Sequence, residues 1–230
     1  MRSNTPRLRL VTDASSEPLT LADAKLFCRV DTTDDDALIT GLISSARRRV
    51  ETETGLALMT QTWAAVFDRW PDQAANGLSG PWWDGVRQGP ISMLTGTGVI
   101  EIPKRPFQGV TQIQLRDAYG ALTTVDPTIY FYEVSDMRGR VIKKLGQIWP
   151  IVILAPSSAI EITFTAGFDA APYSGVPDDL LTALKILVKF WYDRRDPIAC
   201  GGGGKAGGAS GMLPQHLDAI LDSYRAMRLG

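Results

Sequence analysis

The sequence predicts an α+β protein: a helical core formed by N- and C-terminal helices, with an antiparallel β-sandwich or barrel-like domain inserted between them. Two observations carry that expectation. Apolar residues recur at helical spacing in two separated stretches, Leu38 to Val50 and Leu181 to Trp191. Between them, short segments rich in Val, Ile, Thr and aromatics follow one another closely with no helical pattern, which favours antiparallel strands over a doubly wound sheet. Neither end carries enough apolar surface alone, so the helices of the two ends are expected to pack together.

Residues 1–17 are polar and read as an extended N-terminal arm. Residues 18–58 hold the N-terminal helices. Thr20 followed by Asp23 makes a capping box with Asp in place of Glu, and puts Leu21, Ala24 and Cys28 at core spacing on a short helix. Cys28 reads as a small buried hydrophobe. A second helix is expected from near Thr33 to about Glu53, where Thr33 and Asp36 repeat the cap. Its stripe is Leu38, Ile39, Leu42, Ile43, Ala46 and Val50, and Gly55 supplies a left-handed C-terminus. Asp34, Asp35 and Asp36 fall in the first turn, and Arg47, Arg48 and Arg49 lie toward the other end. Each cluster stands where the helix dipole favours its charge, which accounts for the carboxylates without a metal.

The inserted β domain spans residues 59–170. TQTWAAVFDRW (60–70) reads as a strand, and a long segment dense in Gly and Pro follows at 71–98. Trp82 and Trp83 inside it have two readings: burial against the adjoining sheet, or an anchor into a neighbouring subunit. Further strands are expected at 98–103, 110–117, 121–126, 129–135, 139–145 and 159–168, with a tight turn at Tyr119 and Gly120. Pro177 then opens a helix over 176–196, with Asp178 and Asp179 in its first turn and Leu181, Leu184, Leu187, Val188 and Trp191 as its stripe. A Gly-rich linker covers 197–212 and a short helix 213–230, with Leu217, Ile220, Leu221 and Tyr224 on one side.

A formal net charge of −1 gives the whole molecule no electrostatic footprint for nucleic acid. Two cysteines far apart make neither a disulfide framework nor a zinc motif and fit a reducing compartment. No apolar run reaches the length of a membrane span, and the N-terminus lacks a signal-peptide core, so a soluble protein made in the cytosol is expected. His216 is the single histidine, so no nucleophile–base constellation can be built. GGGGKAGG fails as a phosphate-binding loop, because Lys205 is followed by Ala206 and a helix precedes the glycines. Arg47, Arg48 and Arg49 point about 100° apart on a helix and form no flat phosphate-binding patch. Catalytic, cofactor-binding and metal-binding residues are all expected to be none, which favours a structural or binding protein over an enzyme.

The order of short motifs carries a resemblance. Pro18 to Lys25 (PLTLADAK), Arg29 to Asp31, the acidic run Asp34 to Ile39, Thr54–Gly55 and Thr60 to Trp63 together resemble the N-terminal signature of head–tail connector proteins of long-tailed bacteriophages and gene transfer agents. Lys104 to Pro106, Gly146 to Pro150, Thr165 to Phe168, Val176–Pro177 and Trp191–Tyr192 agree with it. The chain departs from the pattern in the length of 71–98 and in the glycines of 200–211.

The resemblance implies a virion adaptor without cofactor or catalysis. It would form a ring of copies of itself, commonly twelve, below the portal protein, and extend the channel for packaged dsDNA without sequence-specific binding. It would offer a surface to a stopper or tail-terminator protein, be made in the host cytoplasm, reside in the virion neck, and involve no membrane. In a heterologous ring each copy presents one face to a complementary face of the next. Asp34, Asp35, Asp36, Glu51 or Glu53 of one copy are therefore expected to approach Arg47, Arg48 and Arg49 of its neighbour, with Trp82 and Trp83 as further interface candidates. Leu213, Leu217, Leu221 and Tyr224 either dock on the portal or pack on their own subunit. The alternatives are another neck or tail component, such as a stopper or tail terminator, and a glycan-binding module using the Trp82–Trp83 loop.

Overall fold

The computed structural model describes residues 6–70, 99–194 and 215–225. The fold mixes helices with antiparallel sheets, as an α+β protein does, and divides into two compact units. Met1–Asp13 and Thr60–Pro172 make a β unit; Ala14–Met59 and Tyr173–Gly230 make a helical unit.

The β unit holds β1 (Arg7–Thr12), β2 (Gln61–Phe67), β3 (Val99–Ile102), β4 (Phe107–Arg116), β5 (Leu122–Thr124), β6 (Tyr130–Ser135), β7 (Arg138–Lys143) and β8 (Ile160–Ala166). One sheet runs β1-β2-β8-β4-β5 and the other β3-β7-β6, every pair antiparallel. Both sheets are open, so the barrel form of the expected insert is not what these strands make. β8 is the central strand and buries Ile160, Ile162, Phe164 and Ala166 completely. Phe107 of β4 packs on Phe164 at a centroid distance of 6.0 Å and meets Tyr132 of β6 edge-on at 5.8 Å. Gly139 of β7 makes room for it: a Cβ there would lie 2.3 Å from the ring. Asp136 and Met137 connect β6 to β7, both left-handed at φ 49° and 65°, the conformation a two-residue hairpin loop requires.

The first strand corrects the expectation of an N-terminal arm. Residues 7–12 pair with β2 as an edge strand, held by ion pairs from Arg7 to Asp68 at 3.2 Å and from Arg9 to Glu161. All six residues of β1 are exposed, so the alternation of Arg7, Leu8, Arg9 and Leu10 buries no face.

The helical unit holds α1 (Leu21–Cys28), α2 (Asp36–Thr54), α3 (Asp178–Asp193) and α4 (Gln215–Tyr224). α2 packs on the other three, and α3 also packs on α1 and α4. The N-cap arm of the expected box forms at α1: the Asp23 N–H donates to Thr20 Oγ1 at 3.1 Å, and the Thr20 hydroxyl in turn donates to Asp23 Oδ2 at 2.7 Å, a bond between the two side chains. α2 begins later than the sequence suggests. Its N-cap is Asp35, which makes no side-chain capping bond, while the Asp36 N–H reaches back to the Thr33 carbonyl at 3.2 Å in a turn before the helix. Gly55 closes α2 with φ 72°.

The buried faces are rotated from the expected stripes. α2 buries Ile39, Ile43, Ala46, Arg47, Val50, Glu51 and Thr54, and leaves Leu38 exposed. α3 buries Leu180, Ala183, Leu184, Leu187 and Val188, with Leu181 and Trp191 half-buried. Each fully buried leucine contributes about 2 kcal/mol through removal of its side chain from water.

Candidate functional site

The charged clusters of α2 separate once their partners are in place. Arg47 is 3% exposed; its Nε donates to Glu17 Oε2 at 2.9 Å and its Nη1 to Glu51 Oε2 at 3.3 Å. The other Glu51 oxygen accepts the Leu58 N–H at 3.0 Å, and the other Glu17 oxygen accepts the Ser44 hydroxyl at 2.8 Å. Arg47 and Glu51, expected at a face between subunits, are thus held inside their own chain. Helical phase is the reason: Arg47 lies four residues after Ile43 and four before Glu51, on the same buried face. Two of the three aspartates are also engaged. Asp35 Oδ2 accepts the Tyr192 hydroxyl at 2.6 Å, and Asp36 pairs with Lys25 at 2.6 Å. Arg49 pairs with Glu53 at 2.7 Å, and Glu53 also receives Arg225 at 3.2 Å. Asp34, just ahead of α2, and Arg48 and Arg49 within it are exposed. Asp34 and Arg48 stand fourteen positions apart in the sequence.

α4 packs on its own subunit. Leu217 and Leu221 are completely buried, four residues apart on the face turned to α2 and α3. The Tyr224 hydroxyl donates to Asp179 at 2.7 Å to one carboxylate oxygen and 2.8 Å to the other. Burial, the bond to Asp179 and its negative charge together push the phenol up to about 12. Of the two expectations for this helix, packing is the arrangement present, and portal contact through these leucines requires α4 to leave its seat. Leu213, Trp82 and Trp83 lie outside the described residues.

Two surfaces escaped the sequence reading. On the helical unit, Asp23, Leu26, Phe27 and Arg29 face Lys185 and Lys189 of α3 across an open groove of about 540 Å³. Leu26 is 80% exposed, although the α1 beneath it is buried at Ala24 and Cys28. The signal was present: Leu26 and Phe27 fall off the stripe that Leu21, Ala24 and Cys28 define. Burial pushes the Cys28 thiol up, partly offset by the charge of Lys189, which fits an inert packing residue. On the β unit, Tyr119, Leu145 and Ile151 are each 94% exposed, an unusual display of large apolar side chains. Among the described residues no group of His, Cys, Asp and Glu could hold a metal ion, and no helix is long and apolar enough to cross a membrane.

Comparison with known proteins bears out the resemblance read from the motifs. Residues 18–114 match the family of phage gp6-like head-tail connector proteins. Three chains of solved structures share the fold, each with 97% of either chain covered. One comes from the neck of an empty gene transfer agent (GTA) particle computed with C6 symmetry, at TM-score 0.66 and 24% identity. A second comes from the virion of a native GTA particle, at 0.65 and 24%. The third comes from the neck of a native GTA particle computed with C12 symmetry, at 0.65 and 22%. No curated protein matches the chain.

Proposed function

We propose that this chain, a relative of the gp6-like head-tail connectors through residues 18–114, is a structural adaptor of the neck of a phage-like virion. It forms a ring below the portal, extends the channel through which packaged DNA passes, and offers its far side to a stopper or tail-terminator protein. The observation that carries this reading is the family match across α1, α2, β2, β3 and most of β4. A fold shared over nearly the whole chain with proteins of GTA necks supports the same place in the particle, and necks described with C6 and C12 symmetry support twelve subunits. The role needs surfaces rather than a catalytic centre, and made in the host cytoplasm, the protein acts in the virion.

Within that ring, the contact between charge clusters is drawn from their exposed members, with Asp34 of one copy approaching Arg48 of the next. Their separation in the sequence and their exposure suit a head-to-tail arrangement, in which two different patches of each copy must meet. Such a pair sets register more than affinity.

Electron microscopy of the protein mixed with the portal encoded beside its gene tests the adaptor role. The expected averages show a ring stacked coaxially on the portal, with the subunit number countable. No complex with a verified, intact portal would overturn the reading.

A further inference from the structure

The helical unit carries two surfaces with matching patterns at opposite ends of the α2–α3 pair. At one end lies the groove of α1 and α3, whose cations are Arg29, Lys185 and Lys189, with Asp23 and Asp193 beside them. Lys185 and Lys189 are four residues apart and form a row along α3; Leu26 and Phe27 form the apolar wall opposite. At the other end lies α4. Its outward side shows Asp218 and Asp222, also four residues apart, beside a row of small exposed residues, Ala219 and Ser223. Arg225 pairs with Asp222 and with Asp218 at 3.9 Å in the same chain; Glu53 and Asp179 add further negative charge there, so the carboxylates outnumber Arg225 and Arg49.

The two ends are fixed by independent contacts. α1 is tied to the start of α2 by Lys25 and Asp36, and α4 to the start of α3 by Tyr224 and Asp179 and to the end of α2 by Arg225 and Glu53. Asp179 and Lys189 are ten residues apart on α3, about 15 Å along its axis, so the rows of one chain do not meet each other.

We infer that the α1–α3 groove is the seat for α4 of a second copy of this chain. The aspartate row lies along the lysine row at the same spacing, and the small residues let Leu26 and Phe27 close over the helix. Two different patches at opposite ends make the contact heterologous, the kind that propagates around a ring. The inference rests on the ring reading for its biological setting, and charge complementarity selects a second copy over another protein.

The test exchanges the rows. Lys185→Glu with Lys189→Glu in one variant, and Asp218→Lys with Asp222→Lys in another, are each expected to lower the yield of rings on the portal at least tenfold. A chain carrying all four substitutions, and an equimolar mixture of the two variants, should both restore rings, because every junction again joins opposite charges. Circular dichroism establishes that each variant is folded. Rings of unchanged yield from either variant would overturn the contact and leave the adaptor reading standing; so would failure of both the four-substitution chain and the mixture to restore them. If the unaltered protein forms no ring on an intact portal, the adaptor reading falls instead. The contact is then decided by carbodiimide cross-linking of mixed light and heavy isotope-labelled protein. Links between Lys185 or Lys189 of one copy and Asp218 or Asp222 of another uphold it, and their absence overturns it.

Discussion

Arg47 shows how one side chain changes meaning when its helix acquires a phase. As one of three consecutive arginines it reads as surface charge; in the structure it is the buried cation between Glu17 and Glu51. Arg47→Met keeps much of the volume and strands two carboxylates, one of them buried, so it should cost about 3 kcal/mol of stability, measured by urea unfolding. Tyr224 gives a test in pH. Its phenol is pushed up to about 12 in the folded chain, against about 10 when exposed. The unfolded state therefore loses its proton first, and stability falls as pH rises from about 10 toward 12. Tyr224→Phe should remove that part of the alkaline loss and leave the slope below pH 9 unchanged, read from denaturant midpoints across the range. The buried role of Arg47 was legible only in hindsight: Ile43, Arg47 and Glu51 share a face, but Glu17 comes from a segment that reads as an arm.

At the scale of elements, strands with a buried face announced themselves. β2, β3, β4, β6, β7 and β8 all lie in stretches whose composition favours strands, and so does β5, although all three of its residues are exposed. β1 did not: Arg7, Leu8, Arg9 and Leu10 alternate, but the polar residues and prolines around them read as an arm. In α2, Ile39, Ile43, Ala46 and Val50 are buried as their spacing suggests, while Arg47, Glu51 and Thr54 share that face in place of Leu38. Packing between sheets also depends on a residue whose value is the absence of a side chain. Gly139→Ala would place a methyl 2.3 Å from the Phe107 ring, which is fully buried and wedged against Phe164 and Tyr132. The expected cost is about 2 kcal/mol, the usual penalty for overpacking a filled core, visible as a lowered thermal midpoint.

For the whole molecule, the question is which surfaces remain available once the interior has taken its share. α4 was open to two readings, and the burial of Leu217 and Leu221 gives its apolar side to the subunit, leaving its charged side outward. Arg48→Glu should reduce ring formation on the portal several-fold, and Asp34→Arg in the same chain should recover it; an unaffected ring would remove that pair from the interface. The groove between α1 and α3 was partly legible, because Leu26 and Phe27 stand off the stripe. Lys185 and Lys189 were not, since only the tertiary fold brings α3, some 150 residues later, beside α1.

The chain passes between its two units three times, after residues 13, 59 and 172. During synthesis this has a temporal meaning. β1 emerges first and waits for β2, and the sheet gains its central strand only when Ala166 has been made. α1 and α2 wait longer still, for α3 and then α4. At about 5–20 residues per second, on the order of ten seconds pass between β1 and β8. Such long-range closure folds slowly and late. A chain released before Lys185 has been made therefore holds neither side of the proposed α4–groove pairing, and has no partner surface with which to poison a growing ring.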